Sequence, residues 1–438
     1  MLNFLNKITI LDNHTKEVFF KSSPAIIIQV IGILARLLTS IILGRILGST
    51  GLGEVNLVNQ IINIIMIFSM FGMDHVLIKN IAISHSNKND KKIGNTIYTA
   101  LYVNVLIATL LTILGFLFSK YISLFFNNIK LQLPLIIAFI VIIPQTIGSV
   151  FVSAINGYEK IWQSRLLKDF STSLIVFLGL CFYWLAEIEV TLISIIILYA
   201  LGRIVTFLIA TFYWKKLYKP FISKQFLDTS MIKMAIPLLF VSATTLLASS
   251  VDILMLGWLS DTSKVGLYTV ASRLAIFIAF FLQITNAAIS PKIASLYHNN
   301  QFKEINIMVK QVTFCLIIIG ITSTSIFLIF GKEILLLWGT DFVAAYTCLL
   351  ILCAGQLINI STGCSGVLLI MSGHQKVFSY ISGFFLLLNI ILNYFLITRY
   401  NEIGAAIATT ITIIGENITR VIVAKQKTGI LTIPTRFK

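Results

Sequence analysis

The sequence predicts an all-α polytopic membrane protein with about twelve transmembrane helices, arranged as two pseudo-symmetric six-helix bundles around a central cavity. Three observations support this prediction. Of the 438 residues, 57% are hydrophobic and only 11% are charged, which is far from the composition of a soluble domain. Apolar stretches long enough to cross a bilayer recur along the whole chain. Short sequence matches also relate the first half of the chain to the second.

Twelve apolar segments are the predicted transmembrane helices. An α-helix rises about 1.5 Å per residue, so about 20 apolar residues cross the roughly 30 Å of hydrocarbon in a bilayer. Backbone polar groups in lipid must bond within the protein, which continuous helices achieve. The predicted spans are residues 24–44, 55–78, 97–119, 132–155, 170–186, 190–213, 234–257, 266–290, 312–330, 343–371, 377–397 and 403–424.

Basic residues in the connections predict how the chain is oriented. Cytoplasmic loops of membrane proteins retain an excess of Lys and Arg. Here these residues concentrate in alternate connections, including the N-terminal segment, residues 215–233 and the C-terminal segment. We therefore expect a multi-pass protein of a bacterial inner membrane with both termini in the cytoplasm. This topology and anionic lipid headgroups account for the formal net charge of +16, so no nucleic-acid partner is expected.

An internal repeat divides the chain into halves of six helices. Three matches keep their order and fall at equivalent helix ends: Leu43-Gly44 with Gly51-Leu52 recurs as Leu256-Gly257 with Gly266-Leu267, Lys79–Ala82 as Pro291–Ala294, and Asn156–Trp162 as Ser372–Phe378. Six is an even number, so the halves share one orientation and are related by an axis along the membrane normal. We predict an N-terminal lobe of residues 1–218, a cytoplasmic linker of residues 219–233 and a C-terminal lobe of residues 234–438.

Ionised side chains inside the predicted spans are the first candidates for a functional site, because a charge at the bilayer centre costs about 2.5–3.5 kcal/mol on insertion scales. Six of them stand out as candidates: Arg36, Arg203, Asp252, Arg273, Glu416 and Arg420. Polar residues accompany them at helical spacing, namely Gln29 and Thr39 in the first span, Asn56, Asn59, Gln60 and Asn63 in the second, Ser242 and Ser249 in the seventh, and Gln283 and Asn286 in the eighth. The repeat makes these four helices equivalent, so we expect a polar cavity between the halves.

Structural explanations for the same residues remain open. Polar side chains can hold membrane helices together, and Asp252 and Arg273 could neutralise each other because the topology puts both toward the outer leaflet. Arg203 and Arg420 occupy matching places in the repeat, but Arg420 is close enough to the cytoplasmic edge to extend into the headgroup region. Glu416 precedes Arg420 by one turn, which is typical of an i, i+4 ion pair.

The sign of the intramembrane charges discriminates between classes of substrate. Among the six candidates, four arginines against two carboxylates favour an anion, and guanidinium groups match the geometry of phosphate oxygens. A transporter of organic cations would be expected to show the reverse balance.

Several motifs together resemble those of a known family. They are Asp252 with Leu256-Gly257, Val265–Tyr268, Ala271–Leu274, Ser290–Ala294, Gly331 with Leu336–Gly339, Gly373–Lys376 and Gly404–Ile407. The chain resembles, over essentially its whole length, the oligosaccharide flippases of polysaccharide biosynthesis (the Wzx type) in the multidrug/oligosaccharidyl-lipid/polysaccharide exporter superfamily. The resemblance implies export of an undecaprenyl-pyrophosphate-linked oligosaccharide unit by alternating access, with an inward H⁺ or Na⁺ gradient as the candidate driving force.

These considerations assign candidate roles to individual residues. We expect Arg36 and Arg273 to contact the pyrophosphate or acidic sugar groups, and the resemblance puts Arg273 where related lipid II flippases carry a cavity arginine. The remaining candidate substrate-binding residues are Arg203, Arg420, Gln29, Asn59 and Asn63, and the candidates for ion coupling or gating are Asp252 and Glu416. No cofactor or metal is expected. The expected partners are the lipid-linked oligosaccharide, membrane lipids and polysaccharide assembly proteins.

Two other functions are alternatives. One is a multidrug exporter of the same fold. The other is a membrane-embedded polysaccharide polymerase or glycosyltransferase, which needs an acid or base near a sizeable outer loop. The predicted outer connections are short, and the sequence contains no nucleophile motif, Gly-rich phosphate loop or metal-ligand cluster. We therefore expect a transporter rather than an enzyme.

Overall fold

A computed structural model describes residues 13–218 and 226–434, and all regular structure in these two ranges is helical. The helices are α1 (Asn13–Met70), α2 (Met73–Ser86), α3 (Asp90–Phe125), α4 (Gln132–Ile140), α5 (Ile142–Gly157), α6 (Ile161–Arg165), α7 (Ser171–Leu185), α8 (Leu192–Leu217), α9 (Thr229–Leu259), α10 (Thr262–His298), α11 (Phe302–Leu336), α12 (Tyr346–Ser361), α13 (Ser365–Met371) and α14 (Gln375–Thr428). Short 3₁₀ segments at Ile129–Leu131 and Thr340–Ala345 precede α4 and α12, and a π-helical turn at Leu166–Phe170 joins α6 to α7.

The number of apolar helices agrees with the predicted twelve spans. In the described ranges seven helices are long and apolar enough to cross a membrane, and three bent helix pairs raise the number to ten. Two of the seven, α1 and α14, each contain one residue with non-helical backbone angles, Gly48 and Asn401. Counting the two limbs of each helix separately gives twelve spans, so the predicted all-α polytopic class is confirmed.

Helix α3 shows that lipid rather than water is the solvent of its outer face. Its buried face carries small or polar side chains at intervals of three or four residues, including Ala100, Asn104 and Ala108. Its exposed face carries large apolar side chains such as Leu106 and Leu110. In a soluble helix the large apolar residues would be inside, whereas small residues inside a membrane bundle let the helices approach closely.

The chain divides into two compact units. The first contains α1 up to Ile42, Ile61–Leu124 and Asn128–Thr245, and the second contains Leu43–Gln60, Phe125–Asn127 and the chain from Leu246 onward. The units are defined by which segments pack together, so their boundaries do not show where one copy of the repeat ends and the next begins. The predicted lobes of residues 1–218 and 234–438 therefore stay a prediction. Residues 219–225 of the predicted linker lie outside the described ranges.

The first unit is held together around α5 and α8. Helix α5 packs against α2 and α8, and α8 packs against α7. A separate apolar cluster joins Met73 and Val76 of α2 to Met231 and Ala235 of α9. Gly72, which has a φ of 70°, begins α2 so close to α9 that an added Cβ would lie 2.4 Å from the Ala235 carbonyl oxygen. The start of α9 thus belongs to the core of the first unit.

The second unit is centred on α12, which packs against α10, α11 and α14. One contact there is unusually close: a Cβ on Gly53 would lie 1.8 Å from the Thr262 carbonyl oxygen, and a Cβ on Gly266 would lie 2.0 Å from the Ser49 carbonyl oxygen. The Ser49 and Ser263 hydroxyls, 2.8 Å apart, are hydrogen-bonded beside it. Only glycine allows two helices to meet at this distance. We call this pair of contacts the glycine crossing.

Candidate functional site

The first unit contains a polar cavity of about 320 Å³ between its helices. Its polar and charged lining includes Asn63 of α1, Asp74 of α2, Gln145 and Ser153 of α5, Lys168 of the π-helical turn, and Arg203 of α8. Two of these, Arg203 and Asn63, are predicted substrate-binding residues. The fold therefore brings together two candidates that lie far apart in sequence and adds four groups that the sequence did not indicate.

Small residues determine how closely the walls of this cavity approach. A Cβ on Gly148 of α5 would lie 3.0 Å from the Phe207 Cα, and a Cβ on Gly202 of α8 would lie 3.0 Å from the Thr172 Cγ2. These two glycines allow α8 to lie close to both α5 and α7. Arg203 follows Gly202 directly and is only 8% exposed. The arginine therefore lies in the interior of the unit, beside a close contact between helices.

The side chains that line the cavity carry a net positive charge and also include hydrogen-bond acceptors. Arg203 and Lys168 are cationic and Asp74 is anionic, while the Gln145 Oε1 atom is buried and has no hydrogen-bond partner among the described residues. A buried acceptor without a donor is costly, because it has lost its hydrogen bonds to water. The chemistry of the lining suits a ligand that carries negative charge and also donates hydrogen bonds.

The second unit contains a buried carboxylate, Asp252 of α9, which is 8% exposed. Its Oδ2 atom accepts hydrogen bonds from the Tyr268 hydroxyl and the Thr409 hydroxyl, both at 2.7 Å. Its Oδ1 atom accepts one from the Asn393 amide nitrogen, also at 2.7 Å. All three donors are neutral, so these bonds do not come from the Arg273 guanidinium, as direct neutralisation of Asp252 by Arg273 would require.

A second layer of polar side chains extends this cluster along α14. The Asn393 amide also donates to the Asn389 Oδ1 atom at 2.9 Å, and the Asn389 amide donates to the Thr412 hydroxyl at 3.3 Å. The Asn393 Oδ1 atom is buried without a partner among the described residues. We call Asp252, Tyr268, Asn389, Asn393 and Thr409 the aspartate cluster. Four of its five members are missing from the predicted site.

Oxygen atoms dominate the aspartate cluster, and this decides which cations it could accept. A carboxylate, amide oxygens and hydroxyls suit a proton or a hard cation. In the described parts of the chain no group of three or more His, Cys, Asp or Glu side chains could hold a metal ion. With one negative charge, the aspartate cluster is better matched to a monovalent than to a divalent cation.

The predicted residues Arg273 and Asn59 lie in the second unit with the segment Leu43–Gln60. The Arg273 guanidinium donates to the Asn56 Oδ1 atom at 2.8 Å. The Asn59 amide donates to the carbonyl of Val55 in its own helix at 3.0 Å. Gln60 donates to the Ser250 hydroxyl. The polar residues predicted for the second, seventh and eighth spans are therefore partly linked to one another.

Arg420 and Glu416 form an ion pair, as the structural explanation of their spacing requires. The Arg420 guanidinium donates to Glu416 and, at 2.9 Å, to the Ser382 hydroxyl, and it lies 4.4 Å from the centre of the Phe378 ring. These contacts give both residues a role in packing. Their candidate roles in substrate binding and in coupling or gating stay predictions.

The polar residues of the first predicted span differ in exposure, although their spacing predicts one shared face. Arg36 is exposed and Gln29 is half-buried, whereas Thr39 is buried and donates to the carbonyl of Ala35 in its own helix at 2.8 Å. The predicted polar face of this span thus meets two environments. The roles expected for Arg36 and Gln29, and the polar cavity expected between the halves, stay predictions.

Sequence comparisons connect the chain to polysaccharide biosynthesis. A family model described as "Polysaccharide biosynthesis protein" matches residues 21–297, and a model described as MatE matches residues 237–395. The chain is 27% identical over 179 residues to the capsular polysaccharide biosynthesis protein CapF of Staphylococcus aureus. That match covers 41% of this chain and 45% of the relative, so it spans less than half of either protein.

Solved transporter structures share the fold. The lipid II flippase MurJ in an inward closed conformation has a TM-score of 0.74 at 16% identity, covering 92% of this chain and 87% of that one. An inward-facing multidrug resistance MATE family transporter of the MOP superfamily has a TM-score of 0.72 at 13% identity, covering 91% of this chain and 94% of that one. At these identities the likeness concerns the fold, which is that of a two-lobe transporter.

Proposed function

Because this chain belongs to the polysaccharide biosynthesis protein family, we propose that it is a flippase that moves undecaprenyl-pyrophosphate-linked oligosaccharide units from the cytoplasmic to the outer leaflet of a bacterial inner membrane. The relative CapF is a capsular polysaccharide biosynthesis protein, which supports a saccharide substrate. The likeness to a lipid II flippase supports a fold able to carry a lipid-linked headgroup.

The observation that carries the proposal of a coupled transporter is the aspartate cluster. A charged side chain within a transmembrane segment is expensive and is kept where it has a function. Asp252 is buried among neutral donors from α10 and α14, so a proton or a Na⁺ ion can change the local charge from −1 to zero. Binding of the ion would alter hydrogen bonds that connect three helices, and this is how we propose that the ion gradient drives alternating access.

The multidrug exporter is the second candidate, because the MatE model matches residues 237–395 and a MATE transporter shares the fold. The charges separate the two candidates. The cavity of the first unit has two basic groups against one acidic group, which repels organic cations and favours anions. A lipid-linked saccharide pyrophosphate has the charge and the hydrogen-bond donors that this lining suits.

The test is a flipping assay with purified protein in sealed vesicles. Undecaprenyl-pyrophosphate-linked oligosaccharide is supplied, and its appearance on the far leaflet is followed with a membrane-impermeant glycosidase. Gradients of Na⁺ at constant pH and of H⁺ at constant Na⁺ are imposed separately. We expect one gradient to accelerate movement, and Asp252→Asn to abolish that acceleration. The exposed Glu304→Gln serves as the control.

Three results would count against these proposals. Wild-type protein that leaves the lipid-linked oligosaccharide where it was added refutes the flippase assignment. Movement of an organic cation instead of this lipid supports the exporter. Gradient-driven movement that is unchanged in Asp252→Asn refutes the coupling role of the aspartate cluster while leaving the flippase assignment intact.

A further inference from the structure

The cavity of the first unit has the properties of a ligand site. Its volume of about 320 Å³ falls in the range of about 300–1,000 Å³ that is usual for small-molecule pockets. Arg203 supplies a guanidinium and Lys168 an ammonium from two different helical segments. Two cationic groups on a cavity of this size suit phosphate oxygens better than a single carboxylate.

The hydrogen-bond acceptors in the same cavity restrict the chemical class of the ligand further. The buried Gln145 Oε1 atom has no donor among the described residues, and the Asp74 carboxylate lies on the same lining. A fully ionised phosphate has only acceptor oxygens and cannot donate to either group. Sugar hydroxyls can donate to both. The cavity therefore suits a phosphate group joined to a sugar rather than a phosphate group alone.

The matching arginine in the second half of the repeat has a different neighbour one turn earlier in its helix. Arg420 matches Arg203 in the repeat, and its guanidinium is paired with Glu416 one turn earlier in α14. The residue one turn before Arg203 in α8 is Tyr199. A tyrosine is neutral at physiological pH. The second unit therefore pairs its arginine with a carboxylate from the same helix, whereas the corresponding position of the first unit carries no carboxylate.

The location also suits the start of transport. Asp74 lies in the first turn of α2 and Lys168 in the turn between α6 and α7. The predicted topology puts the connection that contains Lys168, and the end of the second span that contains Asp74, on the cytoplasmic side, where the positive charges concentrate. A lipid-linked saccharide made in the cytoplasmic leaflet would therefore meet this cavity before it crosses the membrane.

We propose that this cavity binds the glycosyl-pyrophosphate headgroup of the lipid-linked substrate, with Arg203 and Lys168 on the phosphates and with Gln145 and Asp74 on hydroxyls of the first sugar. The inference rests on the proposed function and specifies the part of the substrate that the first unit recognises. Its readout is binding, so it is tested separately from transport.

The experiment measures binding to the full-length purified protein by native mass spectrometry. The probes are undecaprenyl-pyrophosphoryl-N-acetylglucosamine, undecaprenyl pyrophosphate, phosphatidylglycerol and inorganic pyrophosphate. Arg203→Gln is expected to weaken binding of the first probe by about 10- to 100-fold, the loss expected for a hydrogen-bonded charge. Arg203→Lys should recover part of it. The matched control is Arg399→Gln, which removes an exposed arginine outside the cavity.

Two further variants keep the test decisive if Arg203→Gln does not fold. Lys168→Gln removes the other cation, and Ser153→Phe fills the cavity from α5. Both should weaken the glycosyl probe. Gln145→Met should reduce the preference for the glycosyl probe over undecaprenyl pyrophosphate, because the sugar and not the pyrophosphate donates to that side chain.

Specific outcomes would overturn the inference. Wild-type affinity for the glycosyl probe in Lys168→Gln and Ser153→Phe excludes this cavity as its site. If phosphatidylglycerol binds as strongly as the glycosyl probe and its binding depends on Arg203, the cavity is a general site for anionic lipid headgroups. If inorganic pyrophosphate binds as strongly as the glycosyl probe, the cavity is a site for free phosphates. Flipping by the wild-type protein alongside any of these results leaves the proposed function standing.

Discussion

Replacing Gly53 by alanine should lower the free energy of unfolding by about 2–4 kcal/mol. The added Cβ would lie 1.8 Å from the Thr262 carbonyl oxygen, and real Cβ atoms essentially never come within 3.0 Å of such an atom. The backbones at the glycine crossing must therefore separate. Such overpacking costs about 1–3 kcal/mol. The separation also stretches the Ser49–Ser263 hydrogen bond, which contributes about 0.5–1.5 kcal/mol.

The thermal midpoint of the detergent-solubilised protein measures this effect. Gly383→Ala is the matched control, because it lies within α14 and a Cβ there would meet no atom within 4 Å. Alanine is a better helix former than glycine by about 1 kcal/mol, so the control should melt at or above the wild-type temperature. Gly266→Ala should behave like Gly53→Ala. A Gly53→Ala protein that melts with the control would refute the close contact.

Three further predictions address other contacts. Cysteines introduced at Ser49 and Ser263, whose hydroxyls are 2.8 Å apart, should form a disulfide on mild oxidation, and mass spectrometry that finds only free thiols would contradict this contact. Glu416→Gln should destabilise the protein by about 1.5–3 kcal/mol, and combining it with Arg420→Gln should restore most of the thermal midpoint; a double variant as unstable as the single one would argue against the pair. Arg36→Ala removes an exposed side chain, so expression and melting should be normal while polysaccharide export falls, and unchanged export would rule out its role in substrate binding.

The transmembrane helices could be predicted because the requirement on them is simple. A chain crossing hydrocarbon needs an apolar run of sufficient length, and such runs are visible in the sequence. Details at their ends could not be predicted in the same way. The fifth span was expected to start at residue 170, but helix begins at Ile161 and continues through the π-helical turn. Arg165 and Lys168 made this stretch look like a loop, whereas Lys168 lines the cavity.

Only part of each candidate site was predicted from the sequence. Asp252 and Arg203 are ionised and were found on that basis, but the neutral partners of Asp252 were not. Asn389 and Asn393, one turn apart in an otherwise apolar span, are a signal that could have revealed them. The cavity has no such signal, because its lining comes from seven helical segments. Their meeting depends on packing at Gly148 and Gly202, which no local pattern of spacing reports.

The glycine crossing has the form of an interface between identical subunits. At the spacing that relates Leu43-Gly44 to Leu256-Gly257, Gly266 corresponds to Gly53 and Thr262 to Ser49. Each copy of the repeat then offers the same glycine to the same carbonyl of the other. Residue i meets j, and j meets i, as in an isologous dimer. A six-helix chain with one copy of the motif could therefore have made this contact with a second molecule of itself. Joining two such chains end to end would preserve the contact and make it independent of concentration.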